Sequence, residues 1–520
     1  MITLDAARHR KWWPLALSFA LGAMSAFAFE PAGAWPLMLI AFAQLFGVLH
    51  HVPTLRRALA IGYLFGLGQF VIGLNWIATA FTYQAAMPAW LGWIAVVLLS
   101  IYLAVYPALA TGVAWRIGKG HPFALVLSLA GAWAVTEWLR AGIFTGFAWN
   151  PVGVVTVPTP LREIAPLIGT YGLSALVILL SAAVWLEFYR KWLPILLIGT
   201  ATLVLWALPS SSVPEHSLSL RPIRVVQPNI GQQDKWRPGF SEVAAQRLAQ
   251  LSMQPGGTHP RLLFWPEAAV TNPLEDHRTE PYNAFATFER QRAAAVIGPG
   301  EYVLTGGIAL FSRDGRKLSG AANSVFVLGQ GGRVVGRYDK AHLVPYGEYL
   351  PMRPLLSAIG LSRLAPGDVD FASGPGPRTL ALPNWGNVGF QLCYEIIFSG
   401  EVVDRKHRPD FIFNPSNDAW FGSWGPPQHL AQARLRATEE GLPVIRSTPT
   451  GISAVVDGRG RIVASIPAQK AAFIDTVMPA ASNRLTPFAR FGNVIPLLIG
   501  FGLILAGIAL ARRGRYRHRT

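Results

Sequence analysis

The sequence has a single cysteine in 520 residues, Cys393. A lone thiol excludes an intramolecular disulfide, and it also excludes a cysteine-rich zinc or iron–sulfur site. The histidines are scattered and no HExxH motif occurs, so we expect no metal site and no cofactor. Cys393 is therefore either a small buried core residue or a nucleophile.

Charge is also scarce, since charged residues make up 14% of the chain while hydrophobic residues make up 52%. With a mean hydropathy of +0.34, the chain is too apolar for an ordinary soluble protein, which predicts an integral membrane protein. The net charge of +17 could indicate nucleic-acid binding. However, the basic residues are dispersed and accompany no zinc-finger, helix-turn-helix or RNA-binding signature, so we expect no nucleic-acid partner.

Long apolar runs predict eight transmembrane helices, because each run is close to the ~20 residues that a bilayer-spanning helix needs. They lie at 13–29, 34–49, 58–80, 88–113, 123–143, 165–188, 192–208 and 490–511. The first run also has a basic start and the A-x-A-like sequence 26–28, as a signal peptide would. Cleavage there would break the even number of spans, so we expect an uncleaved anchor.

Basic residues mark alternate connections between these runs, from Arg8, Arg10 and Lys11 at the start to "RRGRYRHR" at the end, with Arg162 as an exception. The positive-inside rule then places both termini in the cytoplasm and the long segment outside it, in the periplasm of a bacterial cell. We predict a multi-pass membrane protein, which in a bacterial cell would lie in the inner membrane. Its predicted domains are a seven-helix membrane domain at 1–208, an extramembrane domain at 209–489, and the eighth helix with a basic tail at 490–520.

The segment 209–489 has the alternating pattern of an α/β domain, with strand-like runs such as "RLLFWPEAAV" and helical patterns such as "FSEVAAQRLAQLSM". Three reactive residues end strand-like runs: Glu267 in "LLFWPE", Lys340 in "VVGRYDK" and Cys393 in "VGFQLC". Strand ends next to loops are where α/β folds assemble sites. A helix beginning at "YEIIFSGEVV" would favour the thiolate form of Cys393.

The motifs "WPEAA", "YDKAHLVPYGEYLP" and "CYE" resemble the Glu-Lys-Cys triad of the nitrilase superfamily, with Glu267, Lys340 and Cys393 as its members. With the eight spans and "SNDAWFG…QHLAQARLRATEEGLPVIRSTPTGISAVVD", nearly the whole chain resembles the apolipoprotein N-acyltransferase family, a membrane-anchored branch of that superfamily. Each motif alone is weak, but the three in order, with the sole cysteine among them, are specific. The resemblance implies a nitrilase-like αββα sandwich held above the membrane.

The resemblance also implies an activity, the last step of bacterial lipoprotein maturation. An acyl chain from a phospholipid would pass to the α-amino group of the N-terminal diacylglyceryl-cysteine of an apolipoprotein. Cys393 would carry the chain as a thioester, Glu267 would act as general base, and Lys340 would stabilise the oxyanion. Taken singly, Glu267 and Lys340 would more simply be a solvated surface pair.

Four further residues match family positions. Glu348 in "PYGEYLP" is expected to support the lysine, Tyr394 and Glu395 flank the nucleophile, and Trp236 in "QQDKW" is expected near the substrate entrance. A purely structural role for Trp236 and Tyr394 stays open, because aromatic residues dominate ordinary cores.

Two other functions compete with this one. A membrane-tethered nitrilase-type amidase would use the same triad on a small carbon–nitrogen substrate, but it would not need eight spans. A transporter or sensor with a ligand-binding periplasmic domain would not depend on Cys393.

Overall fold

The computed structural model describes residues 12–83, 88–187, 192–207, 218–235, 237, 239–358 and 369–517. These residues fall into two units. The first takes its residues from Met1–Ala78, Pro88–Ser211 and Leu485–Thr520, and the second from Thr79–Met87 and Ser212–Arg484.

The described α-helices are α1 (Trp13–Ser25), α2 (Pro36–His50), α3 (Leu55–Gly73), α4 (Ile77–Ala80), α5 (Leu91–Leu103), α6 (Val105–Gly118), α7 (Pro122–Gly142), α8 (Ala165–Glu187), α9 (Trp192–Ala207), α10 (Phe240–Met253), α11 (Tyr282–Ala294), α12 (Arg353–Ala358), α13 (Gly425–Glu440), α14 (Pro487–Phe491) and α15 (Val494–Arg517). In the first unit, α2 and α7 begin at a proline, which is favoured at the first helical position. The side chain of Thr54 caps α3 by accepting a hydrogen bond from the backbone N–H of Arg57.

Five helical segments in the described part of the chain are long and apolar enough to cross a membrane: Leu55–Gly73, Leu91–Gly118, Pro122–Gly142, Pro160–Glu187 and Val494–Arg513. Each overlaps one of the eight predicted spans. Three further predicted spans overlap apolar helices that are shorter, at Trp13–Ala28, Pro36–His50 and Ile195–Val204. The predicted number of eight transmembrane helices therefore stays a prediction.

Small residues allow the helices of the first unit to approach closely, as in membrane helix bundles. A Cβ on Gly131 of α7 would lie 2.3 Å from the backbone oxygen of Gly500 on α15. A Cβ on Gly22 of α1 would lie 1.9 Å from the backbone oxygen of Phe65 on α3. Larger side chains at these positions would force the helices apart.

The second unit contains the described strands β1 (Leu218–Gln227), β2 (Leu262–Phe264), β3 (Pro273–Asp276), β4 (Tyr302–Ser312), β5 (Leu318–Leu328), β6 (Val334–Asp339), β7 (Thr379–Leu382), β8 (Gly386–Phe390), β9 (Phe411–Pro415), β10 (Val444–Ser447), β11 (Ser453–Val456), β12 (Ile462–Ile466) and β13 (Ala472–Pro479). One sheet has the order β13-β1-β2-β4-β5-β6, with β3 beside β4. The other has the order β12-β11-β10-β9-β8-β7. Within the first sheet β1, β2 and β4 are parallel, and within the second β8, β9 and β10 are parallel.

Two apolar cores define the layers of this unit. One joins the two sheets, so that Phe264 of β2 contacts Phe413 of β9 with their ring centroids 5.0 Å apart. The other packs the first sheet against α10 and α11 through residues such as Leu248 and Ala293. On the second sheet, α13 contacts β10 and is buried along most of its length. The layers run helix, sheet, sheet, helix, and the expected nitrilase-like α/β architecture is confirmed.

Candidate active site

The three residues expected to form a triad all lie at strand ends. Glu267 follows β2, Lys340 directly follows β6, and Cys393 follows β8. Their exposed fractions are 6%, 1% and 5%, which excludes the alternative of a solvated surface pair for Glu267 and Lys340. The carboxyl ends of parallel strands are where α/β folds assemble sites, and both β2 and β8 belong to the parallel part of their sheets.

A buried amide holds two carboxylates together. The Nδ2 of Asn323, on β5, donates one hydrogen bond of 2.8 Å to Oε1 of Glu267 and another of 2.8 Å to Oε1 of Glu348. The carboxylate of Glu348 also accepts a hydrogen bond of 2.8 Å from the backbone N–H of Val344. The backbone N–H of Lys340 pairs with the carbonyl of Asn323, so the same residue fixes the lysine's backbone.

Lys340 is the cation of this cluster. Its Nζ lies 2.9 Å from Oε2 of Glu348 and 3.8 Å from Oε1 of Glu267. Burial alone would lower the pKa of Lys340, but the charges of Glu348 and Glu267 outweigh it, and the pKa lies above its ordinary value. Lys340 is therefore a positive charge in a buried site, with Glu348 beside it.

The surroundings of Cys393 favour the thiol over the thiolate. Burial raises its pKa well above the ordinary value, the charge of Glu267 raises it further, and Lys340 and the backbone N–H of Asn417 lower it by less. A helix beginning at this point would favour the thiolate, and the burial of the sulfur opposes that effect. Only a short 3₁₀ helix, Cys393–Ile397, follows the strand, and the burial of the sulfur outweighs it. A nucleophilic role for this thiol would need a separate base to take its proton.

The backbone of Cys393 is in the left-handed region, with a φ of 54°, which is uncommon for a residue with a side chain. Its carbonyl oxygen lies 3.1 Å from Nε2 of His429, on α13. Because a carbonyl only accepts, Nε2 carries the proton. Burial and the charge of Arg446 lower the pKa of His429, while Asp418 opposes the shift, and Nδ1 lies 3.0 Å from Nη2 of Arg446.

A buried ion pair fixes this histidine in turn. Nη2 of Arg446 lies 2.7 Å from both carboxylate oxygens of Asp418, and Nδ1 of His429 lies 3.0 Å from one of them. Arg446, Asp418 and His429 each have an exposed fraction of 1% or less. Buried charges in this arrangement are costly to disturb, because removing one partner leaves the other unpaired.

Glu395 connects the loop of the lysine to the loop of the cysteine. Its Oε1 accepts hydrogen bonds from the backbone N–H groups of Ala341 and His342, at 2.7 and 3.0 Å. Its Oε2 accepts from the backbone N–H of Leu392 at 2.6 Å, and the hydroxyl of Tyr338 donates to the same carboxylate. Burial raises the pKa of Glu395 to about 6, with these hydrogen bonds opposing the shift.

The other two predicted residues have different outcomes. Tyr394 is buried, and its ring centroid lies 5.7 Å from that of His342 and 5.3 Å from that of Phe398. Trp236 lies outside the described residues. No group of three or more His, Cys, Asp or Glu side chains suited to a metal ion occurs among the residues that the structure describes.

Gly306, on β4, permits the backbone of Glu267 to lie against the strand. A Cβ there would lie 2.5 Å from the backbone nitrogen of Ala268 and 2.6 Å from the Cα of Glu267. The backbone N–H of Gly306 donates to the carbonyl of Pro266 at 3.1 Å. The position of the Glu267 side chain thus depends on a residue without a side chain in the neighbouring strand.

Comparison with known proteins assigns the family. Residues 21–183 match the model of the apolipoprotein N-acyltransferase N-terminal domain, and residues 223–481 match that of the carbon-nitrogen hydrolases. A curated apolipoprotein N-acyltransferase of Rhodopseudomonas palustris is 34% identical over 96% of this chain and 96% of its own. The chain belongs to the apolipoprotein N-acyltransferase family. The family member of Caulobacter vibrioides is similar to the same extent, with 33% identity over 98% of this chain and 97% of its own.

Among solved structures, a mutant amidase from Nesterenkonia sp. AN1 is similar over 51% of this chain and 94% of its own. Its sequence identity is 14% and its TM-score is 0.33, a likeness too low to support any statement about this apolipoprotein N-acyltransferase family member.

Sequence reasoning missed several residues of this site. Asn323 lies in an ordinary strand pattern, "AANSVFV", and His429 and Asp418 lie in motifs that carried the resemblance but had no assigned role. Lys235 precedes Trp236 and is buried, with an exposed fraction of 6%, although a lysine before a tryptophan in a loop reads as a surface residue. What marks Asn323 is its contact with Glu267, and what marks His429 is its contact with Cys393. Neither contact can be read from the local sequence.

Proposed function

We propose that the chain transfers an acyl chain from a membrane phospholipid to the α-amino group of the N-terminal diacylglyceryl-cysteine of apolipoproteins, the last step of lipoprotein maturation. Membership of the family supports the reaction. The observation that carries its chemistry is the buried cluster in which Lys340 contacts Glu267 and both charges act on the Cys393 thiol.

In the first half-reaction, Glu267 takes the thiol proton and the sulfur of Cys393 attacks the ester carbonyl of the phospholipid. The carbonyl oxygen becomes negative in the tetrahedral intermediate, and the fixed charge of Lys340 stabilises it. The bond to the glycerol oxygen then breaks, Glu267 returns the proton to that oxygen, and a lysophospholipid leaves. The acyl chain stays on Cys393 as a thioester.

In the second half-reaction, the neutral α-amino group of the apolipoprotein attacks the thioester carbonyl. Glu267 takes a proton from the attacking nitrogen and returns it to the sulfur as the carbon–sulfur bond breaks. The products are an amide and the free thiol. Water must be kept from the thioester, since hydrolysis would waste the acyl chain, and the burial of Cys393 is suited to that exclusion.

The supporting residues have roles in this scheme that follow from their contacts. Glu348 holds Lys340 through the 2.9 Å ion pair, and Glu395 ties the two reactive loops together. Tyr394 packs beside the nucleophile, and Trp236 is proposed near the entrance for substrate.

We also propose a topology for the chain. Eight transmembrane helices would anchor it in the bacterial inner membrane, seven of them in the domain 1–208 and the last in 490–520. The catalytic domain, 209–489, would face the periplasm and both termini the cytoplasm. In an oxidising periplasm a sole cysteine has no second thiol in the chain with which to form an internal disulfide.

Intact mass spectrometry tests the proposal. The purified chain in detergent is incubated with phospholipid and no acceptor, and we expect a mass increase of one fatty acyl group, sensitive to hydroxylamine and absent in Cys393→Ala. Addition of a synthetic diacylglyceryl-cysteine peptide should discharge the adduct and produce acylated peptide. An amidase of small carbon–nitrogen substrates would show neither, and a transporter or sensor would keep its function in Cys393→Ala.

A further inference from the structure

The loop between β1 and α10 contacts the segments that follow β9 and β10. The backbone N–H of Ile230 donates to the carbonyl of Pro449 at 3.3 Å, just beyond β10. The Oε1 of Gln232 accepts a hydrogen bond of 3.1 Å from Nδ2 of Asn417, the residue whose backbone N–H contacts the Cys393 sulfur. The loop is therefore anchored beside the nucleophile.

This loop carries Lys235, which is buried like Lys340. Its exposed fraction is 6%, and its charge interacts with that of Glu267. Among the described residues, no carboxylate forms an ion pair with it, and Asp234 instead lies 3.1 Å from Nη1 of Arg237. Lys340, by contrast, has Glu348 at 2.9 Å. One lysine of the site has a protein anion as its partner, and the other does not.

A buried ammonium group without a partner is unfavourable, and a bound anion would supply the opposite charge. Burial lowers the pKa of Lys235 to about 8, with the charge of Glu267 opposing the shift. An anion bound beside the ammonium group would reverse this effect and favour the charged form. The environment of Lys235 thus favours an anionic ligand close to the base of the reaction.

We propose that Lys235 binds the phosphate group of the phospholipid acyl donor. The inference rests on the proposed function. In a phospholipid, the glycerol backbone separates the reacting ester from the phosphate by only a few bonds, so a phosphate beside Lys235 places the ester near Glu267. The diacylglyceryl-cysteine acceptor contains no phosphate. Lys235 therefore selects the donor in the first half-reaction and has no ligand in the second.

The test compares two acyl donors in the rate of acyl-enzyme formation, followed by intact mass spectrometry. One donor is phosphatidylglycerol, and the other is a p-nitrophenyl fatty acyl ester, which lacks phosphate. In Lys235→Gln, we expect the ratio of the phosphatidylglycerol rate to the p-nitrophenyl ester rate to fall about 10- to 100-fold, the range for loss of a hydrogen bond to a charged group. In this variant we expect a higher half-saturating concentration of phosphatidylglycerol.

Two variants control for folding and charge. Lys235→Arg keeps a cation and should retain most of the ratio, and Lys317→Gln, at an exposed lysine, should leave it unchanged. An equal loss with both donors in Lys235→Gln would overturn the proposal, since Lys235 would then act on Glu267 and not on phosphate. Absence of any acyl adduct on the unaltered chain, with either donor, would overturn the proposed function itself.

Discussion

The Nε2 of His429 lies 3.1 Å from the carbonyl oxygen of Cys393, so the histidine of this site contacts the backbone of the nucleophile. Its other ring nitrogen is held by Arg446 and Asp418. This differs from the usual pairing of a histidine with a thiol as its base. In the proposed mechanism the base is Glu267, and the contact from His429 would support the left-handed conformation of Cys393.

Removing the donor at position 429 should therefore slow acylation without changing its pH profile. For His429→Ala we expect a loss of about 100-fold in the acylation rate, the scale of a 1 Å misplacement of a reacting group. His429→Gln, which keeps an N–H donor, should recover part of it. The check is the rate of acyl-enzyme formation, with thermal unfolding measured alongside. Acylation by His429→Ala at the unaltered rate would contradict the role.

A second prediction concerns Asn323, which donates to both Glu267 and Glu348. Asn323→Asp places a third carboxylate between them, and mutual repulsion should raise the pKa of one. We expect acyl transfer to fall at least 100-fold at pH 8 and to recover partly towards pH 6, because the introduced carboxyl group, once protonated, could again donate a hydrogen bond. Steady-state rates across that pH range are the measurement.

The matched control for this change is Asn283→Asp, at an exposed position on α11 that is not in the site. It alters the net charge by the same amount and should leave the rate and the pH profile unaltered. If the rate of Asn323→Asp had the same pH dependence as the rate of the control, the amide would not act on the carboxylates.

A third prediction follows from the close approach at Gly306. Gly306→Ala must move the backbone of Glu267, since the added Cβ would lie 2.6 Å from its Cα. We expect a 10- to 100-fold slower acylation, in line with the sensitivity of rates to misplacement of the base. Gly320→Ala on β5 is the control, because its Cβ would meet nothing nearer than a Phe311 ring carbon at 3.6 Å. Equal rates in the two variants would contradict the steric account.

The fourth prediction separates the reactivity of the thiol from catalysis. Because Glu267 raises the pKa of Cys393 and Lys340 lowers it, Glu267→Gln should lower that pKa and Lys340→Met should raise it. At a given pH below the pKa, a lower pKa gives more thiolate, so iodoacetamide should alkylate Glu267→Gln faster than the unaltered chain and Lys340→Met more slowly.

Acyl transfer should nevertheless fall in both variants, by about 10² to 10⁴ for loss of the base and 10² to 10³ for loss of the oxyanion partner. The alkylation rate from pH 6 to 10, read by intact mass, is compared with the acylation rate of the same preparations. Alkylation of Glu267→Gln with the pH midpoint of the unaltered chain would mean that the two side chains do not interact.

The sequence was informative where a residue type and a strand end coincide. Glu267, Lys340 and Cys393 are reactive residues that each end a β-rich run, and strand ends next to loops are where α/β folds assemble sites. The 3₁₀ turn after Cys393 was not predictable in the same way, since "YEII" fits a helix as well as a strand. The pKa of the thiol depends on its burial by residues that are distant in the chain. The local sequence does not show that burial.

Asn323 and His429 show a second limit. Each acts through one contact with a residue far away in sequence, and each lies in a segment whose pattern is explained by its own strand or helix. The apolar runs, by contrast, predicted the helical segments well, because span length and composition are local properties. Whether a helix crosses the membrane also depends on its tilt and on the local bilayer thickness. Length alone therefore does not decide whether the three shorter helices cross it.

The Oε2 atom of Glu267 is buried, and among the described residues no group donates a hydrogen bond to it. A buried acceptor left in this state costs about 1 to 3 kcal/mol of folding stability. In the proposed reaction, this oxygen would accept the proton of the Cys393 thiol. The folded chain therefore gives up some stability at the one carboxylate oxygen that the proposed reaction uses, while the contacts of Oε1 with Asn323 and Lys340 keep the carboxylate in place.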